Sequence, residues 1–246
     1  MEAIFADSID ATYVGPSPAI NAYSRSGGEE VRIVAGAADG GSALVIQPDS
    51  PIKTGADFRG KRIGTPQLGN TQDVSCRAWL SAQGLKITQL GGDAQVIPTA
   101  NPDQLALFEQ KKLDAVWTVE PWVSRLVREA CGKIFVDEKD AVTTVLVSSV
   151  KFSDSQRPLL QKLVKAHKEL TEWIKANPQE AQKMVVAELS EETRSKMSPE
   201  LVSDAWQRIE LTNDVPLESL QTFVANAKKA GFLRTAPDLG RLVESF

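Results

Sequence analysis

Residues 65–72 read Thr-Pro-Gln-Leu-Gly-Asn-Thr-Gln. The stretch gathers Thr65, Gln67, Asn70, Thr71 and Gln72 and holds no Lys or Arg. It joins a short apolar run, Arg62-Ile63-Gly64-Thr65, to a segment with helical apolar spacing, Val74, Ala78, Ala82 and Leu85 with Trp79 beside them. Asn70 is a natural N-cap, Asp73 three residues on resembles a capping box, and Gly69 allows a positive φ or a close ligand. The first turn of a helix leaves N–H groups unpaired and carries partial positive charge. With the Thr71 hydroxyl and the side-chain amides of Gln67, Asn70 and Gln72, this turn can give several hydrogen bonds to anionic oxygen without a full positive charge. Helix-end charge contributes ~0.3–2 kcal/mol and each hydrogen bond to an ionised group ~1.5–3 kcal/mol. Several together reach micromolar binding, about −8 kcal/mol, after association costs. Asp73 competes for the same donors and must point away from such an anion. A well-capped helix with no ligand would carry the same residues. The stretch is no P-loop, since no Gly-Lys-Ser/Thr ends it, and it lacks Gly-x-Gly-x-x-Gly.

Three other turns carry candidate ligand groups. In Gly15-Pro16-Ser17-Pro18, Ser17 reads as an N-cap with Pro18 at the first helical position, which leaves first-turn N–H groups available. Gly40-Gly41-Ser42 reads as a plain turn or as a close backbone approach to a ligand, with Gly41 and Ser42 as the candidates. Trp117, Glu120 and Trp122 surround the end of a strand; at least one tryptophan is expected to wall a cleft for a small organic group, the alternative being core. Glu120 suits a ligand ammonium, a helix cap or a hinge contact. Catalytic chemistry is poorly represented. No Gly-x-Ser-x-Gly occurs, the one histidine, His167, sits mid-helix near Lys165 and Lys168 as a surface or half-buried residue, and no acidic pair has the spacing of glycoside or metal chemistry. No catalytic residue, metal ligand or cofactor is assigned. Cys76 and Cys131 fit no metal spacing and read as one disulfide or as two free thiols.

The elements that must position these groups alternate. Apolar β-branched runs at 10–15, 31–38, 42–47, 62–65, 94–99, 114–119, 133–138 and 143–150 read as strands, with helices at 17–25, 71–83, 102–111 and 121–130. This alternation predicts an α/β fold with a largely parallel sheet. Residues 155–246 read as almost wholly helical. Segments 5–20 and 108–123 share a layout of Phe, Asp-Ala, apolar strand and Pro-containing turn, which reads either as two turns facing one another or as the layout common to any αβ unit. The 246 residues suffice for one large or two small domains. Hydrophobic residues make up 42% and charged residues 24%, an ordinary globular balance, and the net charge of −4 offers no basic field for nucleic acid or anionic lipid. No apolar run approaches the roughly 20 residues of a membrane span, and the first 15 residues have no signal-peptide pattern.

Residues 60–85, 10–23 and 114–122 together resemble the substrate-binding proteins of nitrate/sulfonate/taurine-type ABC importers, three motifs in the family's order. The resemblance covers most of 1–150 and is weaker over the helical remainder. It implies a type II periplasmic-binding-protein fold, two α/β lobes closing on a ligand: lobe I from 1–46 and 147–246, lobe II from 47–146, hinges near 46–49 and 143–148. It carries ligand contacts over to Ser17, Gly41, Ser42, Leu68, Gly69, Asn70, Thr71, Gln72, Trp117, Glu120 and Trp122, with Thr143 added at the return crossing. The implied partners are a small anionic solute such as a sulfonate, taurine or nitrate, an ABC permease and its ATPase, in a periplasmic or membrane-associated extracytoplasmic setting. Relatives carry a signal and a strand-helix-strand before the motif at 10–23, so lobe I is expected to be incomplete by roughly 60 residues, a position that dimerisation or domain swapping would fill. The alternatives are an enzyme like hydroxymethylpyrimidine phosphate synthase and a ligand-sensing module without a transporter.

Overall fold

The computed structural model describes residues 1–89, 91–192 and 197–246. Helix α1 (Glu2–Phe5) precedes β1 (Ala11–Val14), α2 (Pro16–Arg25), β2 (Val31–Gly40) and β3 (Ser42–Ile46). Next come β4 (Arg62–Thr65), α3 (Thr71–Ala82), the short β5 (Ile87–Thr88) and β6 (Gly91–Gly92), β7 (Gln95–Pro98) and α4 (Asn101–Glu109). Then follow β8 (Ala115–Val119), α5 (Trp122–Ala130), β9 (Lys133–Glu138) and β10 (Val142–Ser149). The remainder is α6 (Val150–Ser155), α7 (Arg157–Ala176), α8 (Pro178–Glu192), α9 (Pro199–Trp206), β11 (Ile209–Leu211) and α10 (Leu217–Lys229). Strand β11 interrupts the region expected to be helical.

The strands form two main sheets, ordered β1-β10-β2-β11 and β7-β4-β8-β3-β9. The first is antiparallel at every pairing. In the second, only β4 pairs in parallel, with β7 and with β8. The expected largely parallel sheet is therefore corrected. The reason is that the chain passes between sheets twice without a helix, from β2 to β3 and from β9 to β10. Gly40 and Gly41, both at φ 71°, make the first passage. A Cβ on Gly40 would lie 2.5 Å from the Arg208 carbonyl oxygen and 2.7 Å from that of Lys139, so only glycine fits. Strand β3, expected with lobe I, bonds within the five-stranded sheet, and residues 142–146 of β10, expected with lobe II, bond within the four-stranded one. Strand β1 is an edge strand whose partner among the described residues is β10.

Each sheet is covered on both faces. Ile20 and Leu220 bring α2 and α10 onto one face of the four-stranded sheet, while Leu160 and Val164 bring α7 onto Val34 and Leu146. Phe108 and Leu126 bring α4 and α5 onto Val45 and Val116 of the other sheet. Each fully buried side chain of this kind contributes about 1.5–3 kcal/mol. Helix α3 differs from the rest. Cys76 and Leu80 pack onto the five-stranded sheet while Val74 joins the core of the four-stranded one. Every residue from Thr71 to Ala78 is buried and Ala82 is exposed, so the single apolar face read from Val74, Ala78, Ala82 and Leu85 is replaced by burial all round over the first two turns. A polar helix in that position must satisfy its polar groups internally.

His167 is buried, not superficial: its Nε2 lies 2.7 Å from the Gly36 carbonyl and its Nδ1 2.9 Å from the Tyr13 hydroxyl. A carbonyl only accepts, so Nε2 carries the proton and Nδ1 accepts from Tyr13. Both cysteines are free; burial pushes the Cys76 thiol well up, and Cys131 is exposed. Among the described residues no helix is long and apolar enough to cross a membrane, and no His, Cys, Asp and Glu group is arranged to hold a metal.

Candidate functional site

The start of α2 meets the start of α3. Gly15 caps α2. Because Pro16 and Pro18 have no N–H, Ser17 carries the amide that the first turn has to offer. It gives that hydrogen to the Thr71 hydroxyl oxygen, 3.4 Å away. A Cβ on Gly15 would overlap the same hydroxyl and would lie 3.5 Å from the Thr143 carbonyl oxygen, so the bare glycine lets the two helix ends close up. Ser17, Thr71 and Thr143 are thus brought together. The Thr143 hydroxyl itself donates to the Ala38 carbonyl at 3.0 Å, leaving a backbone oxygen at the junction. The Ser17 hydroxyl is only 5% exposed as a residue and its oxygen has no partner.

The α3 start is capped as its sequence predicts, with Asn70 Oδ1 accepting from the Asp73 amide at 2.9 Å. The Asp73 carboxylate turns back under the loop, accepting from the Gly69 amide and the Thr65 hydroxyl, each at 2.9 Å. It therefore takes one donor that an anion would want. Arg77 Nε reaches the same carboxylate at 2.9 Å, and both side chains are almost fully buried. The remaining guanidinium nitrogens donate to the carbonyls of Thr88 and Val96. The charge on α3 is balanced within the helix, and the turn itself stays uncharged. The Thr71 and Gln72 amides occupy the first turn, where a helix supplies no acceptor. The Gln72 side chain accepts from Asn70 Nδ2 at 3.2 Å. On the outer side of the loop, Leu68, Gly69 and Asn70 line a recess of about 270 Å³ shared with Asn21 and Arg25 of α2.

Gly41, Ser42, Trp117 and Glu120 form a separate group. Ser42 Oγ donates to Glu138 Oε2 at 2.6 Å, and Trp117 Nε1 donates to that oxygen at 3.0 Å and to Ser42 Oγ at 3.2 Å. Trp117 is 1% exposed and stacks edge-on with Trp79, so it walls no cleft. Central β8 is buried on both faces, and alternation along it cannot turn a side chain outward. Trp122 is half-buried beneath the Arg125 guanidinium, 5.4 Å from the ring centre. Glu120 accepts from the Ser124 amide and hydroxyl, each at 3.0 Å, and pairs with Arg208 at 2.8 Å. Its carboxylate thus satisfies the first turn of α5 and reaches Arg208, which leads into β11 of the other sheet. Burial raises its carboxyl above the usual value, opposed by those donors. The Glu120 amide donates to the Gly41 carbonyl at 2.8 Å. The turn facing Gly15-Ser17 is therefore the β4–α3 turn and not the repeated Glu120-Pro121 turn.

Two contributors were not read from the sequence. Arg77, one turn beyond the loop, neutralises Asp73. Phe232 lies over the loop, where a Cβ on Gly69 would come within 3.2–3.3 Å of its ring. The signal for it is Ala230-Gly231-Phe232 directly after α10, a glycine helix stop followed by a large apolar residue.

The comparisons with known proteins agree with this architecture. The chain is 27% identical over 139 residues to the nitrate/nitrite binding protein NrtA of Nostoc sp., an alignment covering 56% of this chain. It spans about a quarter of that relative, 27% of its length. Among solved structures, the alkanesulfonate-binding protein SsuA of Xanthomonas axonopodis pv. citri bound to MOPS superposes with a TM-score of 0.78 at 18% identity, covering 100% of this chain and 83% of that one. A mutant of DszB in complex with biphenyl-2-sulfinic acid superposes at 0.70 and 18% identity, over 99% of this chain and 85% of that one. The fold is that of the periplasmic binding proteins. Residues 1–190 match the NMT1-like family, and the chain belongs to it.

Proposed function

We propose that the chain is the solute-binding component of an ABC importer and takes a small anion of the nitrate or sulfonate class. The observation that carries this reading is the convergence of two helix starts from the two sheets, with Ser17 N and Thr71 Oγ1 in contact at 3.4 Å. Both ends present partial positive charge, and the ion pair beneath them is internally balanced, so an anion meets uncharged groups, the helix-start donors with the Thr143 carbonyl at their edge. Such donors suit a permanently ionised, acceptor-only group. In this reading the anion inserts between Ser17 and the Thr71 and Gln72 amides, and the two halves close over it about the passages at Gly40–Gly41 and 139–141. The partners are a membrane permease and its ATPase, and this chain delivers the anion to the permease from the extracytoplasmic side. Support comes from the binding activities named for NrtA and SsuA. Calorimetric titration with nitrate, methanesulfonate, taurine and methylphosphonate tests it. Saturable one-to-one heat is expected with nitrate or a sulfonate; no heat with any of the four contradicts the reading.

A second reading, an enzyme of this fold, draws on the likeness to DszB, since one fold hosts several functions. Turnover of an aryl sulfinate by the purified chain would favour it.

A further inference from the structure

The corner that ends α10 reaches across to the α3 loop. The Gly231 amide bonds the Lys228 carbonyl and the Phe232 amide bonds the Ala227 carbonyl, with Gly231 left-handed at φ 81°. This pair of bonds is a Schellman stop, and it aims the residue after the glycine back along the helix flank. Phe232 lands on the bare backbone of Gly69, itself left-handed at φ 74°. The Arg77 guanidinium lies 5.8 Å from the centre of the same ring, and Gln89 Nε2 fastens the corner by donating to the Gly231 carbonyl at 2.9 Å. The junction of Ser17, Gly69, Val74 and Phe232 that remains is a void of about 10 Å³. That is room for one water molecule, beside the buried and unpartnered Ser17 hydroxyl.

We propose that Phe232 determines the size of ligand accepted at the Ser17–Thr71 site. The inference rests on the anion reading above and adds the chemical class: compact anions with no organic tail, or with one methyl group. An anion has to part Ser17 from Thr71 to bind, and an alkyl tail pointing from there toward α10 meets the half-buried Phe232 ring. The Schellman stop fixes its backbone, and Gly69, Arg77 and Gln89 hold the corner on the other side. Replacing the ring with a methyl group opens the void toward α10 without touching a donor.

The test is calorimetry with nitrate, methanesulfonate and 1-pentanesulfonate against the unaltered protein, Phe232→Ala and Phe232→Leu, with thermal melts to show that each is folded. Phe232→Leu keeps an apolar side chain in place should the alanine variant not fold. The affinity of pentanesulfonate relative to nitrate is expected to rise by about tenfold or more in Phe232→Ala, a change well outside calorimetric error, and by less in Phe232→Leu. An unchanged ratio in folded variants that still bind nitrate overturns the size role alone. Pentanesulfonate binding to the unaltered protein as tightly as methanesulfonate overturns it too. Absence of heat with every anion in all three proteins removes the anion reading and the size role with it.

Discussion

Ser17 donates its amide hydrogen to the hydroxyl of Thr71, a residue 54 positions away that belongs to the other sheet's half of the molecule. Pro16 and Pro18 leave Ser17 as the donor at the α2 start, and Gly15 clears the space in which Thr71 sits. The contact therefore joins the two groups that the helix starts direct at one point. Thr71→Val removes the acceptor and leaves a buried amide unsatisfied, which costs about 1–3 kcal/mol. Urea unfolding should show that loss, and calorimetry should show nitrate affinity falling about tenfold or more through the missing hydroxyl donor.

The buried pair beneath the loop governs stability more than binding. Arg77→Met leaves Asp73 charged and uncompensated in the interior, and the expected loss is about 3–5 kcal/mol by urea unfolding. The double variant Asp73→Asn/Arg77→Met keeps one acceptor oxygen for the Gly69 amide, turns the Thr65 contact into one donated by the new amide nitrogen, and removes the stranded charge. It should recover most of that loss. A double variant as unstable as the single one would show that the pair does not act as a unit.

Asp39 gives the fold a pH dependence of identifiable sign. Burial first, and then the neighbouring charges of Glu210, Asp140 and Asp214, push its carboxyl from 3.8 up to about 6. The folded state therefore holds this proton where the unfolded chain has lost it. The contribution is fully present below about 4 and is lost as pH rises toward 6. Thermal melts between these limits should show the stability difference between the unaltered protein and Asp39→Asn moving against the unaltered protein as pH rises, and levelling off above. A difference that does not vary with pH would place the ionisation elsewhere.

Trp117 is the place where expectation and structure part most clearly. Its indole hydrogen is committed to Glu138 and Ser42 inside the core. Trp117→Phe should lower stability by about 1–2 kcal/mol and leave nitrate affinity within about threefold. A large loss of affinity in a folded variant would return Trp117 to the site.

The strands and most helices were legible because each is a local pattern: β-branched runs, a capped start at Asn70, a Pro-led start after Gly15. Sheet membership was not, because the passage between sheets takes only Gly40 and Gly41, and a glycine pair reads equally well as a plain turn. Parallel pairing was over-read for the same reason, since β10 inserts between β1 and β2 from more than 100 residues downstream. In the site, Asn70's cap was readable from residue type and spacing. The return of Asp73 to Gly69, its neutralisation by Arg77, and the closure of Gly15 on Thr71 depend on the first two turns of α3 being buried on all sides, which no hydrophobic periodicity in that helix announces. Trp117 and His167 were misplaced because burial of a large polar-tipped side chain depends on a distant partner, Glu138 in one case and Gly36 in the other.

The central claim is that the amides at the two helix starts bind the anion. Backbone amide NMR during titration with nitrate or methanesulfonate tests it most directly. The resonances of Ser17, Thr71 and Gln72 are expected to move together and saturate at one equivalent. Saturable binding that leaves these three amides unmoved, or no binding by either anion, would contradict it.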